Sequence, residues 1–243
     1  MDIKDIIKKI EDFAPLDTMQ PWDNSGWQID LGIKNIDRIM PVLDVTPDII
    51  EQAAKNKCGL IISHHPVFFN PVKKIAEPYI IKAVQNNIQI YSAHTNLDAA
   101  KGGMTDYLAR KCGFDGLETA FDFVRFKRFN EEKSFADLIL KLKSIFNQPV
   151  FPIVNSLRKT YKSIAFCSGS GGEFIQGAAK LGIDVYISGD IKHHAAQHAG
   201  SLSVIDIGHF NSEKFAAELF AEILSGIDAE FVYAEETPAW TFV

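Results

Sequence analysis

The sequence predicts an α/β fold of two related halves with mixed sheets packed together. Three observations carry this reading. Short apolar runs alternate along the whole chain with segments of helical periodicity, the pattern of strands and helices laid down in turn. No Gly/Ser linker or low-complexity segment interrupts the 243 residues, which suits one large domain or two intimately joined halves. A short internal echo hints that the halves are related. Cys58-Gly59-Leu60-Ile61-Ile62-Ser63 leads into His64-His65, and Ile183-Asp184-Val185-Tyr186-Ile187-Ser188 leads into Gly189-Asp190 and then His193-His194. The first half is expected to take about 1–120 plus the C-terminal strand region, and the second about 121–243, with the functional site in the cleft between them.

The elements follow in order. A helix is expected over 3–13, because Ile3, Ile6, Ile7, Ile10 and Phe13 fall on one face and Asp2 can cap its start. An extended stretch through Gly26-Trp27-Gln28-Ile29 precedes a strand near 36–45. Thr46-Pro47, a cap followed by a first-turn proline, opens a helix to about 56. Strand 59–63, helix 78–86, strand 88–93 and helix 103–112 complete the first half. The middle, 121–154, reads as strand, helix, strand, with the charged cluster Asn130-Glu131-Glu132-Lys133 marking a turn. Strand 163–167, helix 171–180, strand 185–188, a His-bearing helix over 192–199, strand 203–207, helix 212–224 and strand 230–233 close the chain.

Composition bounds the function. Hydrophobic residues at 47% and charged residues at 23% are those of an ordinary globular protein. A net charge of -6 with no long Lys/Arg run argues against nucleic-acid or anionic-membrane partners, since neutralising phosphate needs clustered cations. Cys58, Cys112 and Cys167 are odd in number and form no CxxC pair, which argues against a disulfide framework or a cysteine zinc site and fits a reducing compartment. The amphipathic MDIKDIIKKIEDF start does not read as a secretory signal, and no stretch approaches the ~20 apolar residues of a membrane helix. A cytoplasmic protein is expected. The 18 phenylalanines read as core and subunit interface.

Polar side chains gather just past the ends of four apolar strands, where open α/β sheets place their sites. The segments are Ser63-His64-His65-Pro66, Ala93-His94-Thr95-Asn96-Leu97-Asp98, Ser188-Gly189-Asp190-Ile191-Lys192-His193-His194, and Asp206-Ile207-Gly208-His209-Phe210-Asn211-Ser212-Glu213, and all 7 histidines lie at or near them. On a strand His64 and His65 would point to opposite faces and serve two neighbouring metal ions better than one, unless the turn at Pro66 redirects one. His209 and Glu213, four apart at a helix opening, share a face, and Glu213 can bridge two ions. With Asp98 they form a nitrogen and oxygen donor set suited to two divalent ions per chain, Zn, Fe or Mn, with waters in the open positions of a catalytic site.

The ordered motifs WDNSGWQ, ISHHP, HTNLDAAKGG, SGDIKHH and DIGHFNSE resemble those of the NIF-three-like family, whose members are often called GTP cyclohydrolase I type 2 homologues. The resemblance runs from Trp22 to Glu213. It implies a two-half α/β fold, a dinuclear metal centre and a ring-shaped homohexamer. It also places the ligands on His64, His65, Asp98, His209 and Glu213. The segment over 121–154 is short, as in members lacking an inserted middle domain. Trp27 departs from the leucine usual after the glycine, which bears on packing rather than on ligands.

Further residues are candidates for catalysis or binding. His94 reads as a group orienting Asp98, a substrate contact or a structural histidine. Asp190 and His193 read as substrate-facing or supporting groups, with a helix cap the alternative for Asp190. His194 and His198 share an expected helix face. Ser168, Gly169 and Gly171, in a Gly-rich stretch between strand and helix, are candidates to cradle a phosphate, with a tight turn as the alternative; Lys101 and Lys192 can neutralise an anion. Asp23-Asn24 either bonds across the site or shapes a turn. Three functional readings follow. One is a metal-dependent hydrolase of a small molecule such as a nucleotide, as the resemblance to cyclohydrolase homologues implies, with His94 or His193 shuttling a proton. The others are a metal-handling or regulatory protein, and a scaffold that its metals only stabilise.

Overall fold

The computed structural model describes residues 1–70 and 72–240. Helix α1 (Ile3–Phe13) opens the chain, with the Asp2 carboxylate accepting from the Lys4 N–H and Ile6 and Ile10 fully buried. Burying each such side chain is worth about 1.5–3 kcal/mol. Then come β1 (Gly26–Ile29), β2 (Arg38–Val42), α2 (Pro47–Lys55), capped by the Thr46 hydroxyl, β3 (Leu60–Ser63), α3 (Pro78–Gln85), β4 (Gln89–Ser92) and α4 (Thr95–Ala99). Next are α5 (Met104–Lys111), β5 (Glu118–Phe121), β6 (Val124–Ser134), α6 (Phe135–Phe146), β7 (Ile153–Val154) and β8 (Thr160–Ser170). The chain continues with α7 (Ile175–Lys180), β9 (Val185–Gly189), α8 (His193–Ala196), β10 (Ser203–Asp206), α9 (His209–Glu213), α10 (Ala216–Ile223) and β11 (Glu230–Phe231). Among the described residues no helix is long and apolar enough to cross a membrane.

The chain divides into two compact units, residues 1–103 with 215–243, and residues 104–214. The expected division near residue 120 would fall within β5, which is paired to β6 inside the second unit. Unit 1 holds a mixed sheet in the order β1-β4-β3-β2-β11, parallel except for antiparallel β1. Its core joins Met40, Val42, Ile50, Ile61 and Ile90 to α2 and α3. Unit 2 holds a mixed sheet in the order β5-β6-β8-β9-β10-β7, in which β8, β9 and β10 are parallel and the other pairings antiparallel. Its core packs Ala165, Ile175, Ala178, Tyr186 and Val204. The fold is thus mixed α/β with two mixed sheets, as the alternating pattern predicts. The two strands of the echo, β3 and β9, each have a parallel neighbour on both sides.

Three local expectations change. The charged cluster at 130–133 is not a turn but the exposed end of β6. There the pairing moves from Arg128 opposite Ser163 to Lys133 opposite Tyr161, so β6 bulges and holds its surplus charged residues in solvent. The helix expected over 212–224 is two, α9 and α10, split at Lys214 and Phe215, where the units divide. The His-bearing helix is only α8, so His198 lies beyond it and does not share its face with His194. Asp98, expected to follow its strand closely, does so on α4, a short helix that the periodicity does not predict.

Candidate metal centre

In unit 1, β3 ends at Ser63, so His64 and His65 lie just past the pleat. The strand alternation expected to separate them does not apply. The Ser63 hydroxyl donates to the His65 carbonyl at 2.8 Å and bends the chain. The two rings end up side by side, with centroids 5.1 Å apart and planes 35° apart. His94 precedes α4 and presents its ring edge-on to both, at 5.3 and 5.5 Å. Each of His64, His65 and His94 offers a ligand atom within 4.8 Å of the others.

The hydrogen bonds fix how these rings present themselves. His64 Nδ1 lies 2.9 Å from the Ala93 carbonyl oxygen, which can only accept, so Nδ1 carries the proton and Nε2 its lone pair. That Nε2 lies 3.6 Å from Asp98 Oδ1, with His64 buried and Asp98 nearly so. His65 Nδ1 meets Asp44 Oδ1 at 2.7 Å and His94 Nδ1 meets Asp23 Oδ1 at 2.7 Å. A carboxylate or carbonyl behind Nδ1 is the arrangement that orients a metal-binding imidazole and raises its basicity.

Asp23 is held by more than His94. Its carboxylate accepts from the Thr95 N–H at 3.0 Å, the Thr95 hydroxyl at 2.5 Å and the Ser25 hydroxyl at 2.8 Å. Burial alone would raise the Asp23 carboxyl, but these bonds and the His94 charge hold it well below the usual carboxylate range. Asn96 donates to the Ala14 carbonyl at 2.7 Å and accepts from Ser25 at 2.9 Å, pinning the short helix that carries Asp98. Trp22 and Phe69 stack with centroids 5.8 Å apart, both exposed and both edge-on to His94.

In unit 2, β10 leads through Gly208, at φ +82°, into α9, which carries His209 and Glu213 on one face as their spacing predicts. His209 Nδ1 lies 2.8 Å from Asp190 Oδ2, and Nε2 lies 2.9 Å from Glu213 Oε2. With Nδ1–H given to Asp190, Nε2 and a carboxylate face each other. That approach is favourable only when a positive charge is shared between them, a proton or a metal ion. Asp190 follows β9 in the left-handed region at φ +51°, which sets its carboxylate against His209 Nδ1. His193, the other candidate of this segment, is exposed at the start of α8 and meets His194 edge-on at 5.5 Å.

The candidate phosphate cradle needs correcting. Ser168 and Gly169 belong to β8, and the N–H groups meant for an anion are committed to side chains. Ser168 donates to Thr105 at 3.1 Å, Gly169 to Ser212 at 2.9 Å and Gly171 to Ser188 at 3.0 Å. Gly169 serves another purpose. At φ +63°, a Cβ there would sit 2.5 Å from Glu213 Oε1, so its lack of a side chain makes room for the carboxylate.

The structure thus gathers His64, His65, His94 and Asp98 in unit 1, and His209, Glu213, Asp190 and Gly169 in unit 2. The donors are imidazole and carboxylate. Burial pushes the thiols of Cys58 up to about 11 and Cys112 up to about 12, so neither supplies a thiolate. These groups could hold a metal ion. Asp44 went unnoticed in the sequence reading; its signal was an acidic residue just past the end of an apolar strand, beside the one that leads to His65.

Comparison with known proteins places the chain. A Clostridium perfringens (strain 13 / Type A) protein named "GTP cyclohydrolase 1 type 2 homolog" is 33% identical over 97% of this chain and 97% of its own length. A Helicobacter pylori (strain J99 / ATCC 700824) protein named "GTP cyclohydrolase 1 type 2" is 33% identical over 91% of each chain. Among solved structures, "Reduced HcgD from Methanocaldococcus jannaschii" superposes with a TM-score of 0.82 at 30% identity, covering 96% of this chain and 97% of that one. A Bacillus cereus protein "related to NIF3" shares the fold at a TM-score of 0.90 and 20% identity, covering 100% and 99%. The family model described as Duf34/NIF3 (NGG1p interacting factor 3) matches residues 1–238, and the chain belongs to that family.

Proposed function

We propose that the chain binds two divalent metal ions, Zn, Fe or Mn, through His64, His65, Asp98, His209 and Glu213, and hydrolyses a small molecule of the nucleotide class. One observation carries the metal reading. Four imidazoles, those of His64, His65, His94 and His209, each have Nδ1 against an oxygen acceptor, which turns Nε2 toward other donors. Divalent ions held by such a set supply Lewis acidity toward a substrate oxygen. The names of the relatives favour a cyclohydrolase-type reaction on a nucleotide.

The chain's own residues divide the remaining work. Asp23 holds His94 so that Nε2 can take or return a proton, and the Nδ1–Asp23 bond steadies the charge while it does. Trp22 and Phe69 offer an exposed flat surface to a heterocycle beside His94. Asp44 and Asp190 orient His65 and His209. A cytoplasmic homohexamer is the assembly that the family resemblance favours. The second reading is metal handling without dedicated turnover. It is favoured by the partial exposure of the His65 and His209 side chains, 21% and 34%, which suits exchange as well as substrate entry.

The test begins with metal content per chain by mass spectrometry, on protein purified without chelator or affinity tag, beside His65→Ala and Glu213→Ala. The proposal expects close to two ions per chain, fewer in both variants, and GTP or phosphoester hydrolysis that tracks occupancy. Metal bound without turnover of any nucleotide favours the handling reading. No metal taken up from Zn, Mn or anaerobic Fe(II) overturns both.

A further inference from the structure

We infer that Glu236, in the C-terminal segment, is a positioning residue for His65 and acts through Asp44 at the end of β2. The inference rests on His65 being a metal ligand. Glu236 Oε2 accepts from the Leu43 N–H at 2.8 Å and from the Asp44 N–H at 3.2 Å. The Leu43 carbonyl accepts from the His65 N–H at 3.0 Å, and Asp44 Oδ1 takes the His65 imidazole at 2.7 Å. One carboxylate therefore clamps the peptide that meets His65 at both its backbone and its ring.

The segment that brings Glu236 there is independently anchored. Gln52 exchanges two hydrogen bonds with the Glu235 backbone, at 2.9 and 3.1 Å, and Val232 and Ala234 pack into the unit 1 core. Burial lifts the Glu236 carboxyl above its usual range. The two backbone N–H groups pull the other way, the Asp44 charge raises it further and the His65 charge lowers it.

The experiment uses the full chain in two arms. In metal-free protein, the His65 Nδ1–H resonance is followed by ¹⁵N-edited NMR in wild type, Asp44→Ala, Glu236→Ala and Glu236→Gln. The signal is expected to vanish in D44A, to broaden or exchange faster in E236A, and to persist in E236Q, whose amide oxygen still accepts both N–H groups. In the second arm, zinc affinity is read by competition with a chromophoric chelator. It should fall about tenfold in E236A, stay near wild type in E236Q, and fall no further when E236A is added to D44A. Glu236→Asp withdraws the oxygen by one methylene and gives the same result in milder form if E236A does not fold. An unchanged His65 resonance in E236A or E236D, or a loss of affinity as large in the D44A background as in wild type, overturns the inference. If wild type takes up no zinc, the metal reading fails, and the NMR arm alone decides whether Glu236 positions His65.

Discussion

In unit 1 the neighbouring parallel strands β2, β3 and β4 lead into Asp44, His64 with His65, and His94; in unit 2 the parallel strands β9 and β10 lead into Asp190 and His209, with Gly169 near the end of β8. Each unit repeats one device. A carboxylate past one strand, Asp44 or Asp190, takes the Nδ1–H of a histidine past the neighbouring strand, His65 or His209, at 2.7 and 2.8 Å. What differs is depth. Unit 1 brings three imidazoles together and buries His64 completely, whereas unit 2 offers one imidazole, 34% exposed, beside a Glu213 that is 4% exposed. The unit with more donors and less water around them is the better organised to grip a cation, because an oriented ligand loses little freedom on binding.

The largest expected effect tests that difference. His64→Ala should weaken zinc binding by more than about 100-fold, beyond the 10–100-fold that loss of an outer hydrogen-bond partner brings. His209→Ala should weaken it less, since water can reach the vacated position. Chelator competition on the two purified variants gives the order directly. A greater loss in His209→Ala would make the His209–Glu213 pair the dominant grip and reverse the comparison.

Asp44→Asn and Asp190→Asn sharpen it. Each keeps the shape of the carboxylate but substitutes an amide whose oxygen is a weaker acceptor, so each should lower zinc affinity by about 10–100-fold. Similar losses are expected if the echoed device works alike in both units. A loss in one variant alone would confine the device to that unit.

Much of this was legible in the sequence, and the failures have physical causes. Apolar periodicity placed α1 at 3–13 because Ile6, Ile7 and Ile10 are driven into the core whatever the surrounding topology. The i, i+4 spacing of His209 and Glu213 predicted a shared face, and α9 provides it. The alternation argument for His64 and His65 failed because β3 stops at Ser63, and strand ends are set by tertiary hydrogen bonds rather than by local pattern. The Gly-rich stretch at the end of β8 misled for a related reason. Glycine tolerates both an anion cradle and a close approach, and only the neighbour Glu213 shows which applies. Asp44 and Glu236 meet partners far along the chain, which no local window contains.

Glycine separates backbone cost from site geometry within unit 2. Gly169→Ala and Gly182→Ala both place a side chain at positive φ, +63° and +67°, and each should lose about 1–2 kcal/mol in urea unfolding. The Gly182 position has open space around a new Cβ, whereas the Gly169 position meets Glu213 Oε1 at 2.5 Å. Zinc affinity should therefore fall in Gly169→Ala and hold in Gly182→Ala. Equal affinities in the two variants would show that Glu213 gives way without cost and that unit 2 tolerates a looser pair than its geometry implies.

The smallest expected effect belongs to unit 1 and appears only in acid. Folding holds the Asp23 carboxyl well below its usual range, while in the unfolded chain it titrates near pH 3.9. Below about pH 5 the unfolded chain therefore binds protons at this position that the folded chain refuses, and stability falls as pH falls. The contribution is fully present above the unfolded value and is lost as pH descends toward the folded one. Asp23→Asn removes the titration, so its Tm should start lower at neutral pH and decline less than wild type between pH 5 and 3. The difference should be a few degrees, at about 2–4 °C for each kcal/mol in a chain of this size. Parallel declines in the two proteins would mean that the Thr95, Ser25 and His94 bonds to Asp23 serve its geometry without stabilising its charge. Unit 1 would then owe its acid sensitivity to other carboxylates.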